Sequence, residues 1–293
     1  MKYYLNNWWL AIRPKTLLAS IGPILLGTSL ATSETQIHFG IFAAALICAI
    51  SLQVSVNLAN DLFDSLSGVD NEQRLGPIRA VQSGLISASA IKLALALVCA
   101  IAVVSGLYLI AMGGYWILLL GILSFLGVFA YSAGPFPLAS NALGEVTVLI
   151  FFGWVAVLGS FYLQTGTISI IAFGLATSAG LYSCAIMLVN NIRDITTDWR
   201  AEKHTLAVVV GNRRARTLLA VLIVGALVVH SVVAMQVSKM LLLTTILLVL
   251  PSYQSIKMGF YLQKQSLNQL LTNIAKLGFS YCVSVALIWI VFM

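Results

Sequence analysis

The sequence predicts an all-α polytopic membrane protein with nine transmembrane helices, and three observations predict it. Of the 293 residues, 60% are hydrophobic and 9% are charged, where soluble domains carry about 25% charged residues. Nine apolar runs reach the roughly 17–25 residues that a bilayer crossing needs. The cations then fall where nine crossings collect them on one face.

The first run, residues 16–31, is opened by Arg13-Pro14-Lys15 and preceded by Lys2. The second, 40–62, ends in an acidic cluster, and Arg74, Arg79 and Lys92 follow it. Runs at 88–112 and 115–131 are nearly contiguous. Runs at 143–163 and 169–192 come next, and the second of these ends in another acidic cluster followed by Arg193, Arg200, Lys203, Arg213, Arg214 and Arg216. Run 217–235 leads to Lys239, run 240–259 to a connection flanked by Lys257, Lys264 and Lys276, and 275–293 is last. All sixteen basic residues except Lys239 therefore share one side, which the positive-inside rule makes cytoplasmic. The expectation is a multi-pass protein of the cell (inner) membrane, with the N-terminus and both acidic loops in the cytoplasm.

The net charge of +7 is thus explained by orientation, and no nucleic-acid partner is expected. Cys48, Cys99, Cys184 and Cys282 stand alone in separate apolar runs, and His38, His204 and His230 are scattered, so neither a disulfide framework nor a histidine metal site follows. Treating the first run as a cleaved leader gains nothing topologically. One membrane-embedded domain over 1–293 is expected, with two polar connections, 64–87 and 194–216, long enough to carry chemistry of their own.

Of the nine acids, all but Glu34 and Glu145 fall within residues 61–72 and 194–202. Four spans separate the clusters, an even number, so both emerge on the same side. Asn57, Asp61 and Asp64, and again Asn191, Asp194 and Asp198, keep the three- and four-residue spacing of one helix face. Such oxygen donors suit Mg²⁺, which takes one or two carboxylates plus phosphate and water, and two ions fit. Arg74, Arg79, Arg193, Arg200 and Lys203 suit phosphate oxygens. A divalent cation holding a diphosphate is the favoured reading; solvated loop charge is the bland one, preferred for Arg213, Arg214 and Arg216. The Asn–Asp spacing of Asn57/Asp61 and Asn190/Asp194 reads as a weak internal repeat. Gly121, Gly127, Gly153 and Gly159 suit either an apolar groove or close helix packing, with packing preferred.

Asn60-Asp61-x-x-Asp64 with Asp194-x-x-x-Asp198 resembles the paired motifs of the UbiA-type intramembrane aromatic prenyltransferases. Within that family the chain is similar to the 1,4-dihydroxy-2-naphthoate polyprenyltransferases of menaquinone synthesis, the MenA branch. The matching residues are Gly68-Val-Asp70, Gly76-Pro77-Ile-Arg79 with Gly84, Tyr131-Ser-Ala-Gly134-Pro135, Gly144-Glu145 before Phe151-Phe152-Gly153, Asn190-Asn191-Ile-Arg193-Asp194 and Lys203-His-Thr205-Leu. The likeness spans residues 13–211. Gly68 stands where many members carry a third Asp, a role Asp70 would take, and Gly134-Pro135-Phe136-Pro137 stands where some place a Lys.

The resemblance implies a nine-helix UbiA-like bundle with a central cavity opening to the cytoplasmic side, and Mg²⁺ held by Asn60, Asp61, Asp64, Asp194 and Asp198. It implies Asp61, Asp64, Asp70, Asp194, Asp198 and Tyr131 as catalytic residues. Diphosphate or acceptor binding would fall to Asn57, Asn60, Arg74, Arg79, Asn190, Asn191, Arg193, Arg200, Lys203 and Glu145. The implied reaction transfers a polyprenyl group from its diphosphate to 1,4-dihydroxy-2-naphthoate with decarboxylation, giving demethylmenaquinone. The partners are then a polyprenyl diphosphate, an aromatic acid and the lipid bilayer. The alternatives are another acceptor, 4-hydroxybenzoate or homogentisate, and, from a different class, an ion-coupled transporter.

Overall fold

A computed structural model of the chain describes residues 2–66, 75, 76, 79–132 and 136–293, the side chains of residues 2–5, 64 and 66 excepted. No strand occurs among them. The helices are α1 (Lys2–Ile12), α2 (Pro14–Leu30), α3 (Phe39–Leu66), α4 (Ala88–Ala130), α5 (Gly144–Val148), α6 (Ala156–Thr165), α7 (Ile170–Arg200), α8 (Leu206–Val210), α9 (Asn212–Val237), α10 (Leu242–Tyr261) and α11 (Leu267–Phe292). A π-helical stretch, Leu149–Val155, joins α5 to α6 without a break. Counting that stretch with its flanks as one, eight described helices are long and apolar enough to cross a membrane.

The ninth expected span lies inside α4. Its 43 residues extend about 64 Å at 1.5 Å per residue, twice a hydrocarbon core of about 30 Å. The path is broken at Gly114, whose φ of 71° and ψ of −154° are open to glycine and closed to residues with a β-carbon. Before the break α4 runs antiparallel to α3: Ala102 accepts a hydrogen bond from Cys48, Cys99 bonds Ser55, and Ile91 and Leu95 share a cluster with Leu58 and Leu62. After it the chain returns, with Ile117 beside Ile41 and Ser132 bonded to Asn60. The break falls between the two runs read from the sequence, 88–112 and 115–131.

Local chemistry sets the ends. Pro14 opens α2, where a missing N–H costs nothing, after Arg13 at a φ of 56°. Ser87 and Ser169 cap α4 and α7 by accepting from Ala90 and Ala172. Arg216, expected only as an orienting charge, donates to the carbonyls of Gly259 and Leu262 and so satisfies the last turn of α10. Helix α1 precedes the first expected span. At 11 residues it is too short to cross, and it lies with Trp8, Ala11 and Ile12 packed on the α3–α4 cluster while Trp9 and Leu10 face outward.

Packing forms two main cores, bridged by a smaller cluster in which Ile24 of α2 meets Ile41, Ala45, Leu109 and Ile117 of α3 and α4. One core joins α2, α6, α7, α9, α10 and α11 around Tyr182, Tyr281, Leu26 and Leu219. The other joins α1, α3 and α4. Outward faces of α4 and α10 carry exposed Leu, Ile and Val, which hydrocarbon solvates and water does not. Between the halves runs a cavity of about 600 Å³.

Small residues let helices touch, as expected where lipid removes the hydrophobic drive for association. A β-carbon on Gly27 would sit 2.2 Å from the Val157 carbonyl oxygen, and one on Gly153 would sit 2.8 Å from the Gly180 α-carbon. Gly121 and Gly159 instead line the cavity with open space where a side chain would be, and Gly127 faces the Phe151 ring. The four glycines named from the sequence thus divide between packing and groove. Gly27→Ala is expected to cost about 1–3 kcal/mol of stability through overpacking, and Gly159→Ala to stay within about 0.5 kcal/mol of the parent. Thermal unfolding in detergent measures both, and equal midpoints for parent and Gly27→Ala would contradict the close approach.

Candidate active site

Helices α3 and α7 are both longer than a crossing requires, with 28 and 31 residues, or about 42 and 46 Å. Their acidic segments are therefore continuous helical tips, as the residue spacing predicts. The two tips lie at the same end of the bundle and are linked through α11. Asn268 on α11 donates to the Leu75 carbonyl beyond α3 at 3.3 Å and accepts from Arg193 Nη1 on α7 at 2.7 Å. At the opposite end Glu34 bonds Thr167 and His38 bonds Gln164.

Asp194 is buried against its neighbour in the chain. Arg193 Nε donates to Oδ1 at 2.8 Å and Nη2 to Oδ2 at 2.5 Å, while Nη2 also reaches Asn190 Oδ1 at 2.7 Å. The guanidinium, 4% exposed, is thus spent on Asp194, Asn190 and Asn268. Expected at the diphosphate, Arg193 here holds a carboxylate in place. Asp61, 1% exposed, accepts the backbone amides of Ala80 at 3.0 Å and Val81 at 3.4 Å. It folds the loop after α3 back onto its own tip. Asp198 is half-buried, accepting from Thr205 Oγ1 at 3.5 Å, and its carbonyl takes the Lys203 amide at 2.9 Å.

The amides are divided in the same way. Asn57 Nδ2 donates to the Ile12 carbonyl at 2.8 Å and to Thr16 Oγ1 at 3.0 Å, and Gln53 donates to Asn57 Oδ1 at 3.3 Å. Asn60, bonded to Ser132, and Asn190 both line the cavity. Asn191 points away from it, to Glu145 Oε1 at 2.8 Å. Glu145, expected near an aromatic acceptor, is buried against α7 and outside the cavity wall, and its Oε2 has no hydrogen-bond partner. Tyr131 lines the cavity with its hydroxyl turned to Met187 Sδ at 2.9 Å. Arg79 is buried beside the Asp61 loop, and Arg200 is exposed at the tip of α7. Asp70, Arg74, Gly68, Pro77, Gly134 and Pro135 lie outside the described residues, as does the side chain of Asp64.

Arg13 and Lys15, expected only to orient the chain, and Gln53, which no motif marks, have a further place. All three line the polar end of the cavity beside Asn57 and Asn60. The signal for Gln53 was present, one helical turn before Asn57 on the same face. From this end the cavity runs down α3 to Ala45, about 22 Å at 1.5 Å per residue, between Phe151, Phe152 and Val155 of the π-helical stretch and the second half of α4. Stretches of π-helix are common at functional sites, and here three cavity-lining residues come from one.

The donors contributed by the two tips are carboxylate and amide oxygens, the set a hard cation of the Mg²⁺ kind takes. Among the described residues no group of three or more His, Cys, Asp or Glu converges. Substrate phosphate oxygens and water would complete the octahedron, the usual way Mg²⁺ is held.

Residues 20–283 match the UbiA prenyltransferase family. The chain belongs to that family. Its curated relatives include the 1,4-dihydroxy-2-naphthoate octaprenyltransferase of Escherichia coli (strain K12), 38% identical over 227 residues that cover 75% of this chain and 74% of the relative. The protein of the same name from Bacillus subtilis (strain 168) is 36% identical over 213 residues, covering 72% and 68%. Among solved structures, a UbiA homolog from Archaeoglobus fulgidus bound to DMAPP and Mg²⁺ superposes with a TM-score of 0.72 at 14% identity, covering 98% of this chain and 100% of that one. The same homolog bound to GPP and Mg²⁺ gives 0.70 at 15% identity, covering 96% and 99%. At these identities the structures establish the fold. This UbiA-family chain is a multi-pass membrane prenyltransferase, which sets the transporter reading aside; its acids stand at helix tips and not at mid-membrane.

The Arg193–Asp194 pair is testable without substrate. Arg193→Met strands a buried carboxylate and is expected to cost about 3–5 kcal/mol. Arg193→Met combined with Asp194→Asn should recover more than half of that, read as thermal midpoints in detergent; additive losses would mean the pair is not coupled.

Proposed function

We propose that this UbiA-family chain transfers a polyprenyl group from polyprenyl diphosphate to 1,4-dihydroxy-2-naphthoate with loss of CO₂. The reaction is Mg²⁺-dependent and takes place at the cytoplasmic side of the cell (inner) membrane, with the whole chain acting as one membrane-embedded unit. The observation that supports the reading is an apolar cavity whose polar end is lined by Arg13, Lys15, Gln53, Asn57, Asn60 and Asn190, residues that include members of both motif-bearing helices. The named relatives at 34–38% identity support the acceptor. The one-sided distribution of cations supports the orientation.

Bound Mg²⁺ would neutralise the charge that builds on the diphosphate as it leaves, with Asp61, Asp64, Asp194, Asp198 and Asn60 as its protein donors. Arg13 and Lys15 at the mouth, with Arg79, Arg200 and Lys203 on the flanking loops, add positive potential there, which is strong in a poorly hydrated cavity. The apolar wall, opened by Gly121 and Gly159, accepts the prenyl tail. Tyr131 stands between mouth and wall, where its π face can stabilise an allylic cation.

The carbon–oxygen bond to diphosphate breaks and its electron pair leaves with the phosphate. A ring pair of the naphthoate forms the new carbon–carbon bond at the carboxylate-bearing carbon. The bond to CO₂ then breaks and returns its pair to the ring. Atoms and charge balance with no net proton or oxidant, and the product is the prenylated naphthalenediol, the reduced form of demethylmenaquinone. Water must stay out of the apolar wall, because it would capture the cation.

Membranes carrying the protein, supplied with labelled polyprenyl diphosphate and a panel of aromatic acids, report acceptor and decarboxylation together by product mass. Dihydroxynaphthoate should be consumed with loss of 44 mass units (about one CO₂), and a product from 4-hydroxybenzoate or homogentisate instead would overturn the acceptor. Asp64→Asn and Asp198→Asn should each lower the Mg²⁺-dependent rate by at least about 100-fold, the scale of lost electrostatic stabilisation, while the folded protein remains in the membrane. Lys203→Ala should raise the KM for the prenyl diphosphate more than that for the acceptor; the opposite order would move Lys203 to the aromatic substrate.

A further inference from the structure

Asn268 lies 75 residues in sequence from Arg193 and 193 from Leu75, yet its side-chain amide bonds both. An amide carries a donor and an acceptor on one rigid plane. Here the acceptor takes the guanidinium that holds Asp194, and the donor takes the carbonyl of the loop that Asp61 closes. The guanidinium polarises the amide, which strengthens its donation to Leu75. The chain of bonds therefore runs from the second acidic tip to the first through a third helix.

That third point is rigid. Leu267 and Leu270, on either side of Asn268 in the first turn of α11, are fully buried in the main core. Thr272 Oγ1 bonds the Asn268 carbonyl at 3.0 Å. A site supported from packed helices is held more closely than one supported from loops.

We propose that Asn268 is a positioning residue that sets the separation of the two acidic motifs, so that a cation and a diphosphate shared between them are gripped from both sides at once. The proposal rests on the function given above for its ligands, but its geometric part stands without it. Nothing in the motifs identifies Asn268, because it touches neither of them in sequence.

Two substitutions separate its bonds. Asn268→Asp is isosteric, keeps the acceptor for Arg193 and loses the donor to Leu75, whereas Asn268→Ala loses both. In purified protein without substrate, hydrogen–deuterium exchange of residues 75–86 should speed up about tenfold in both variants, the worth of one hydrogen bond to a charge-polarised partner. Exchange within α11 should hold in both, and the thermal midpoint should hold in Asn268→Asp, which leaves Arg193 its acceptor. In membranes, half-saturation by Mg²⁺ and KM for the prenyl diphosphate should each rise about tenfold, with the acceptor KM unmoved.

Unchanged exchange in 75–86 would overturn the proposal. So would faster exchange in α11 with a lowered midpoint in Asn268→Asp, which marks a helix-start role, or a fall in kcat with both half-saturations unchanged. If the parent protein transfers no prenyl group to any acceptor in the panel, the functional reading fails on that result, and the exchange measurement still decides for or against Asn268 as the tie between the tips.

Discussion

A buried carboxylate must be given partners before it can be given a function. Removing one from water costs several kcal/mol unless charge or hydrogen bonds replace the solvent, and in a membrane bundle water is available only at the ends and in the cavity. The paired acids of this chain obey that constraint. Asp194 has the Arg193 fork, Asp61 has two loop amides, and Asp198 has Thr205. Satisfying the acids also ties elements together at this end of the bundle: α7 to α11 through Arg193 and Asn268, α3 to its following loop, α7 to the turn before α8.

Much of this architecture was legible in the sequence because bilayer length and helix rise are fixed quantities. Apolar runs located the long helices, with ends off by up to eight residues, and marked the break of α4 at Gly114, where hydropathy falters for only two residues. The facing of the acidic tips followed from parity. What stayed hidden had weak local signal. The last helix starts at Leu267 and not at 275, since Leu-Asn-Gln-Leu-Leu-Thr-Asn-Ile mixes polar and apolar residues and shows its buried face only against α7 and α10. Asn268 was lost with it. Glu145 was expected at the acceptor because it is a rare acid near an aromatic pair, but one turn of helix decides whether such a residue meets the cavity or the neighbouring helix. It meets α7.

The cavity follows from the division of the bundle. Two groups of helices pack tightly within themselves, with Gly27 against the Val157 backbone in one and α3 against the first half of α4 in the other. Between them the contacts are sparser, and glycines open the wall. Three lining residues, Phe151, Phe152 and Val155, come from the π-helical stretch, whose wider turn displaces side chains relative to an α-helix. Rigidity on either side and space between are what a flexible apolar tail requires: the walls need not rearrange to admit it, and they exclude water along its length.

The repeated Asn–Asp spacing at Asn57/Asp61 and Asn190/Asp194 does not extend to the hydrogen bonds. Asn57 ties α3 to the α1–α2 junction, whereas Asn190 joins the guanidinium cluster; Asp61 binds backbone, whereas Asp194 binds a side chain. Backbone amides cannot move without moving the loop, so the first tip and its loop form one piece. The Arg193 fork joins two neighbours on one helix and reaches α11 through Asn268, so the second tip is tied to the bundle and not to its own loop. Asp61 and Asp194 are therefore structural residues whatever chemistry they carry, and a loss of activity on replacing either would include the structural part. Asp198, half-buried where Asp61 and Asp194 are buried, is the most exposed of the described acids on the two tips, so its replacement disturbs packing least.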